Sequence, residues 1–444
     1  MVQLSQSDSD PALPAAPARK VLVPSAIGNV LEWYDFALYG YLAPVIARLF
    51  FPSDDALTGL IQTYAVFAIG FLARPIGGVI FGHLGDRIGR RAMLSWSIAM
   101  MAVPTLLLGF LPTYQDIGVL APILLVIIRI LQGMSSGGEY SGSVTLLVEH
   151  APASRRGLYG SLAASSAMVG SLLGAGAGWL VSDVFPADVL RDWGWRVPFV
   201  GGIAVGAFGL WIRYRMADSP VFGELRRQGA VERQPLTAAF KTQKRAMVLC
   251  LLLNWGTSAG YFVIFTWFAG YMRDVIGLPL HVALGIGTLG LVAGLLFVAL
   301  FGHLSDRVGQ RRLLVVTMVL SILCVLPLLL LSTEGTVAAV LIAQLGLAIL
   351  IAGPLGVMPA LFVSLFSSAT RCSGFSVSYN LGVAVFGGTA PLIATALIQL
   401  TGWSAAPGLY LIVAMLVALA ALAFLARAGA GRPESAAAGS RQSD

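Results

Sequence analysis

A short charged segment occurs twice in this 444-residue chain, each time between two long apolar stretches. The first copy spans Gly82 to Leu94 and reads GHLGDRIGRRAML. The second begins 220 residues later, at Gly302, and reads GHLSDRVGQRRLL. A segment copied half a chain away indicates that the chain consists of two related halves.

The composition places both halves in a membrane. Of the residues, 57% are hydrophobic and 11% are charged, with a mean hydropathy of +0.84. A soluble domain carries about 25% charged residues, so this chain could not cover itself with polar surface in water. The apolar runs are continuous rather than alternating, which favours spanning helices over a barrel.

Twelve apolar runs are long enough to cross a bilayer, and they predict an all-α integral membrane protein. They cover residues 21–48, 57–81, 92–112, 118–147, 158–182, 194–215, 246–271, 281–301, 313–332, 336–365, 373–400 and 404–427.

The longest connection divides the chain. We expect a disordered cytoplasmic tail at 1–20, a six-helix bundle at 21–215, a cytoplasmic linker at 216–243, a second six-helix bundle at 244–428 and a disordered tail at 429–444. Within the linker, the sequence AVERQPLTAAF predicts a short amphipathic helix.

The basic residues set the expected orientation. Arg and Lys are concentrated in every second loop and in the linker, and the loops between them are acidic. Because cytoplasmic loops carry the excess of Lys and Arg, we expect both termini in the cytoplasm. The net charge of +7 then reflects the orientation of the chain in the membrane, and a nucleic-acid partner is not expected.

Two carboxylates lie inside the first predicted helix. Glu32 and Asp35 are one turn apart, and Asn29 and Tyr39 share the face of Glu32. Two such groups at low dielectric do not both ionise easily, which predicts a proton carrier. The alternative is that they form structural ion pairs with arginines.

Further ionisable groups lie in the second and fourth predicted helices. Arg74 could neutralise Glu32 or Asp35, or meet an anionic substrate. Arg129 lies deep in its helix with Gln132 nearby, and Glu139 lies about 15 Å along the same helix. A deep arginine requires an anion, so we expect Arg129 in a cavity, where it binds the substrate together with Gln132, Asn29 and Tyr39, and Glu139 as a further proton-coupling candidate.

The second half has uncharged polar groups at the corresponding depth. Asn254 and Tyr261 lie on one predicted helix, and Tyr379 and Asn380 on another. They suit either a cavity wall or hydrogen bonds between helices. The sequence shows no metal-ligand cluster and no nucleophile–base pair, so we expect neither an enzyme nor a metal or other cofactor.

The repeated segment resembles the signature of the major facilitator superfamily, G-x-L-x-D-R-x-G-R-R. Within this superfamily, the chain resembles the metabolite:proton symporter branch most closely. The segments that carry this resemblance are GNVLEWYDFALYG, ARPIGG, GGEYSGS, DWGWRVPF, SPVF and YNLGVAVFGGTAP. This resemblance implies two pseudo-symmetric six-helix bundles around a central cavity, which rock between two open states.

The resemblance also implies a cytoplasmic gate. Asp86 and Arg90 are expected to form a latch with the end of helix 11, and Asp306 marks the second copy, in which Gln310 replaces the arginine. Arg87 and Arg307 are expected to belong to this gate, and for Arg87 the alternative is that it simply follows the positive-inside rule.

The function expected from these features is proton-driven import of a small polar metabolite across a bacterial inner membrane by a monomer. Arg74 and Arg129 favour an organic acid such as a di- or tricarboxylate. The alternatives are a proline- or betaine-type osmolyte importer and, less favoured, an exporter. The membrane lipid, the metabolite and protons are the only partners expected.

Overall fold

The computed structural model describes residues 19–52, 56–214 and 219–430, and this part of the chain is helical without strands. Twelve long helical segments follow one another, numbered α1 to α12. They are Arg19–Tyr41, Ala56–Arg87, Arg90–Gly109, Leu120–His150, Arg156–Val184, Val197–Tyr214, Lys244–Asp274, Leu280–Val308, Gln310–Ser332, Val337–Ser364, Arg371–Thr401 and Pro407–Ala430.

Eleven of these segments are apolar and long enough to span a membrane over their described residues, and α1, which contains Glu32 and Asp35, is the twelfth. The predicted fold is therefore confirmed. The disordered tails were expected at 1–20 and 429–444; their residues 19–20 and 429–430 are helical, and the rest lie outside the described residues.

The repeated segment is more helical than its charges suggest. Helix α2 continues through Asp86 to Arg87, and α8 continues through Asp306 to Val308. The chain turns only at Gly89 and Gly309, whose φ angles of 104° and 97° are unfavourable for side-chain-bearing residues. The apolar runs 57–81 and 281–301 therefore end several residues before α2 and α8 do. The charged residues that follow each run continue the helix beyond the hydrophobic layer of the membrane.

The two bundles, α1–α6 and α7–α12, meet along several helix pairs, among them α5 with α10 and α4 with α11, and two further pairs are the most extensive. Helix α2 packs against α11, and α5 packs against α8. The repeat relates α2 to α8 and α5 to α11, so the two interfaces are pseudo-symmetric.

Small residues allow close packing within the first bundle. A Cβ atom on Gly133 of α4 would lie 1.9 Å from the Gly70 carbonyl oxygen of α2. Only glycine permits this approach, which holds α4 and α2 in contact near the molecular centre.

Helices α7 and α11 each contain a π-helical stretch, Phe262–Trp267 and Val383–Gly387. The sequence did not predict these stretches. Such distortions in otherwise regular helices occur often at functional sites.

The linker contains two short helices, Pro220–Arg227 and Pro235–Thr242. The helix predicted from AVERQPLTAAF begins only at Pro235, because residues 230–234 are not helical. We call the face of the molecule that carries the linker and both repeated turns the linker side.

Candidate functional site

A cavity lies between the two bundles. Its empty space is about 570 Å³, counting the part that opens to solvent. Helices α1, α2, α4 and α5 of the first bundle and α7, α10 and α11 of the second form its wall. Only about 40 Å³ of this space admits the centre of a water-sized sphere, so the cavity is narrow in this conformation.

Aromatic side chains dominate the wall, namely those of Trp33, Tyr140, Tyr261, Phe262, Phe362 and Tyr379. Tyr140 and Tyr379 stack across the bundle interface with ring centroids 4.7 Å apart. Trp33 meets the edge of Tyr261 at 5.0 Å. Arg74 is the one charged residue among the described residues that line the cavity.

Arg74 is paired with Glu32. Its Nη1 lies 2.8 Å from Glu32 Oε1, and both side chains are about 1% exposed. Its Nε donates to Asn380 Oδ1 at 3.3 Å, which connects α2 to α11. Glu32 Oε2 has no hydrogen-bond partner among the described residues. The pair is therefore neutral overall, with one carboxylate oxygen left to accept a proton or a hydrogen bond.

Asp35 has an arginine of its own. Arg129 Nη1 lies 2.6 Å from Asp35 Oδ2, and the guanidinium carbon of Arg129 lies 3.8 Å from the Tyr39 ring centroid. Gln132 Nε2 donates to Asp35 Oδ1 at 2.9 Å. This cluster is buried within the first bundle, away from the cavity wall.

Two expectations change as a result. Glu32 and Asp35 do not share a proton between them, because Glu32 faces Arg74 of α2 whereas Asp35 faces Arg129 of α4. Arg129, Tyr39 and Gln132, which we expected at the substrate, surround Asp35 instead.

The other first-half residues also lie inside the bundle. Glu139 forms an ion pair with Arg213 of α6, in which Arg213 Nη1 donates to Glu139 Oε2 at 3.1 Å. Asn29 donates to Ser143 at 2.8 Å and to Ser166 at 3.1 Å, and so joins α1 to α4 and α5. In this conformation neither Glu139 nor Asn29 lines the cavity.

In the second half, three of the four predicted residues line the cavity, namely Asn254, Tyr261 and Tyr379. Asn254 Nδ2 donates to the Tyr379 carbonyl at 2.9 Å, and Ser258 Oγ donates to Asn254 Oδ1 at 3.0 Å. Asn380 lies behind the wall, where it accepts from Arg74.

Sequence reasoning missed half of the six aromatic residues in the wall. Trp33, Phe262 and Phe362 look in sequence like any aromatic residue of a spanning helix, which is as often lipid-facing as buried. The position of Trp33 beside Glu32 was the one available signal.

On the linker side, Asp86 caps the beginning of α11. Its two carboxylate oxygens accept from the backbone N–H groups of Cys372 at 3.1 Å and Ser373 at 2.8 Å. Arg90 lies 3.4 Å from Asp86. A carboxylate at a helix N-terminus is favourable because of the unpaired N–H groups and the helix dipole.

Glu149, at the end of α4, completes this cluster. It lies 3.4 Å from Arg90 and 2.8 Å from Arg371. We call Asp86, Arg90, Glu149 and Arg371 the latch. Glu149 was not predicted, since a carboxylate at a helix end resembles an ordinary surface charge.

The linker packs against the latch. Ser219 donates to Glu149, and the Phe222 ring centroid lies 5.2 Å from the guanidinium carbon of Arg90. At the other end of the linker, Gln243 donates to Ser367 at 2.6 Å, close to the start of α11.

The second copy of the repeat makes the equivalent cap on the other interface. Asp306 accepts from the N–H groups of Gly157 at 2.7 Å and Leu158 at 2.9 Å, at the beginning of α5. Gln310 is uncharged, so the second copy has no counterpart of the Arg90–Asp86 ion pair. Arg87 and Arg307 are exposed and have no carboxylate partner among the described residues, so they are not part of either cap.

Comparisons with known proteins agree with this architecture. The model of the Major Facilitator Superfamily matches residues 25–377 and 286–443. The chain is 33% identical over 435 residues to the ectoine/proline transporter ProP of Corynebacterium glutamicum, covering 93% of this chain and 85% of that protein. It is 32% identical over 414 residues to the proline/betaine transporter of Escherichia coli, covering 90% and 82%.

Solved structures share the fold at low sequence identity. The proton:xylose symporter XylE bound to 6-bromo-6-deoxy-D-glucose superposes with a TM-score of 0.77 at 17% identity, covering 92% of this chain and 95% of that one. The inward-open conformation of XylE from E. coli gives 0.64 at 18% identity, covering 93% and 96%. With twelve helices in two related bundles, a central cavity and a repeated gate motif, this chain belongs to the Major Facilitator Superfamily of membrane transporters.

Proposed function

We propose that this transporter imports a zwitterionic osmolyte of the proline, betaine or ectoine class together with protons. The sequence alone favoured an organic acid and kept the osmolyte as the alternative. The relatives described as proline, betaine and ectoine transporters favour that alternative.

The observation that carries the proposal is the charge of the cavity. Arg74 is balanced by Glu32 at 2.8 Å, and the second arginine that suggested a polyanion is occupied by Asp35. A di- or tricarboxylate would bring two or three negative charges to a wall without spare positive charge, and burying uncompensated charge is costly. A zwitterion adds no net charge.

The aromatic residues of the cavity wall would bind the ammonium group of the substrate. A quaternary or secondary ammonium over the faces of Trp33, Tyr140 or Tyr379 gains cation–π attraction of about 0.5 to 2 kcal/mol. The substrate carboxylate would then face Arg74, which lines the same cavity.

Proton coupling follows from the Glu32–Arg74 pair. Protonation of Glu32 at its unpartnered oxygen weakens its hold on Arg74, and the guanidinium becomes available to the substrate carboxylate. Release of the proton restores the ion pair and displaces the substrate. One pair thereby links the occupancy of the cavity to the proton.

The topology remains as the basic loops predict, with the linker side in the cytoplasm of a bacterial inner membrane. The latch closes that side in this conformation, since it joins α2 and α4 to α11. Import then requires the latch to open after the substrate has bound.

The test is uptake of labelled solutes into proteoliposomes with an acidic exterior. We expect accumulation of proline, glycine betaine or ectoine, which a protonophore abolishes. Accumulation of α-ketoglutarate or citrate without uptake of any of the three zwitterions would contradict the proposal. The matched control is Arg74→Ala, which should bind none of these substrates.

A further inference from the structure

A second groove lies on the outer surface of the C-terminal bundle, away from the central cavity. It runs between the linker-side ends of α7 and α12, with about 1000 Å³ of empty space including its open side. Its wall is almost wholly apolar, formed by residues such as Val248, Leu252, Val417 and Phe424. In a membrane this wall faces the acyl chains.

Two cations lie at the linker-side end of the same groove. Lys244 and Arg245 begin α7, are exposed and belong to the groove lining. Arg245 is held over the wall, with its guanidinium carbon 4.6 Å from the Phe424 ring centroid. Neither cation forms an ion pair with any residue that the structure describes.

We propose that this groove binds one phospholipid with an anionic headgroup, taken from the leaflet on the linker side. The headgroup phosphate lies against Lys244 and Arg245, and one acyl chain lies along Val248, Leu252 and Phe424. Basic groups at the membrane surface next to a pocket between helices attract anionic headgroups.

Charge and shape together select this occupant. A phospholipid with a zwitterionic headgroup fills the apolar wall but carries no net charge to balance the two cations. A soluble anion balances the cations but leaves the apolar wall empty. An anionic lipid satisfies both ends of the groove.

The test is retention of lipid by the purified full-length transporter, measured by native mass spectrometry after exposure to phosphatidylglycerol or phosphatidylethanolamine. We expect the wild type to retain phosphatidylglycerol preferentially, and Lys244→Gln/Arg245→Gln to lose this preference by on the order of tenfold. The matched control, Arg226→Gln/Arg227→Gln, removes the same charge from the exposed linker helix and should retain phosphatidylglycerol like the wild type.

A second variant tests the apolar wall with both cations intact. Leu252→Trp narrows the groove and should also reduce phosphatidylglycerol retention. Equal retention of the two lipids by the wild type, or full retention by either variant, would overturn the proposal. Thermal unfolding in detergent confirms that each variant is folded, and the lipid readout does not depend on which solute is transported.

Discussion

In the proposed mechanism, the side-chain pair of Glu32 and Arg74 links a proton to a solute. Both are buried, one oxygen of Glu32 has no described partner, and Arg74 faces the cavity. The ion pair is stable only while both groups are charged. Protonation of Glu32 removes its negative charge and leaves the buried positive charge of Arg74 uncompensated. The protonation state of Glu32 therefore decides whether Arg74 is free to bind a carboxylate.

Replacing Glu32 with Gln should abolish coupling without abolishing transport. The amide mimics the protonated acid, so exchange of substrate across the membrane should persist. Accumulation driven by a gradient of one pH unit, about tenfold in the wild type for one coupled proton, should fall to the level without a gradient. Labelled uptake and counterflow measure the two quantities. Wild-type accumulation by the variant would remove Glu32 from the coupling mechanism.

Trp33 tests the aromatic wall. Trp33→Leu removes a ring from the cavity and should raise the apparent KM for glycine betaine by about 2- to 30-fold, the range that cation–π energies imply. Trp179→Leu is the control, because Trp179 is exposed on the outer surface of α5. Equal KM values for both variants would show that this indole face does not bind the ammonium group.

Arg129 should behave as an internal counter-ion. Arg129→Ala leaves Asp35 buried and unpaired, which should cost about 3 to 5 kcal/mol of stability. Arg129→Ala/Asp35→Ala should be less destabilised than Arg129→Ala, as measured by chemical or thermal unfolding in detergent micelles. If Arg129→Ala loses uptake at wild-type stability, the residue belongs to the substrate site after all.

At the scale of elements, α11 connects the cavity to the latch. Its first turn receives Asp86 through the N–H groups of Cys372 and Ser373, and two turns further Asn380 accepts from Arg74. About 12 Å of continuous helix separates Cys372 from Asn380. We propose that this helix transmits a shift of Arg74 to the residues that close the linker side.

The labelling rate of Cys372 can test whether the latch keeps the linker side closed. This thiol is 1% exposed beneath the contact between α2 and α11. Asp86→Ala removes the cap and should favour the state open on the linker side, so a maleimide should label Cys372 several times faster. The experiment needs Cys250 and Cys324 replaced by serine.

Arg87→Ala provides the matched control for this labelling experiment. Arg87 is adjacent to Asp86 but exposed and outside the latch, so its removal should leave the labelling rate of Cys372 unchanged. If Asp86→Ala labels no faster than Arg87→Ala, the cap does not hold the linker side closed.

The sequence was most informative about the helices and least informative about which charged side chains form ion pairs with each other. Continuous apolar runs and the repeated segment predicted twelve helices and the position of the gate, because a membrane allows few alternatives. The partners of Glu32 and Asp35 could not be predicted, since Arg74 and Arg129 were both within reach of either. The cap made by Asp306 was not predicted, because its partners are backbone N–H groups of α5, which the side-chain pattern does not reveal.

At the scale of the whole molecule, symmetry and asymmetry have different roles. The two aspartate caps, on α11 and on α5, are related by the internal repeat and close both interfaces on one side. The buried ion pairs of the membrane interior, by contrast, lie in the first bundle, and the second bundle contributes Asn254 and aromatic residues to the cavity. The symmetric parts suit the rocking motion, and the asymmetric parts suit recognition and coupling.

The central claim is that a neutral cavity transports a zwitterion with a proton, and the electrical sign of transport tests it most directly. A zwitterion accompanied by one proton carries one positive charge inward, whereas a dicarboxylate with one proton carries a negative charge. In proteoliposomes adsorbed on a solid-supported membrane, at equal pH on both sides, a jump in glycine betaine or proline should evoke a positive inward current that Glu32→Gln abolishes. A negative or absent current with these zwitterions, together with a current evoked by citrate or α-ketoglutarate, would contradict the account.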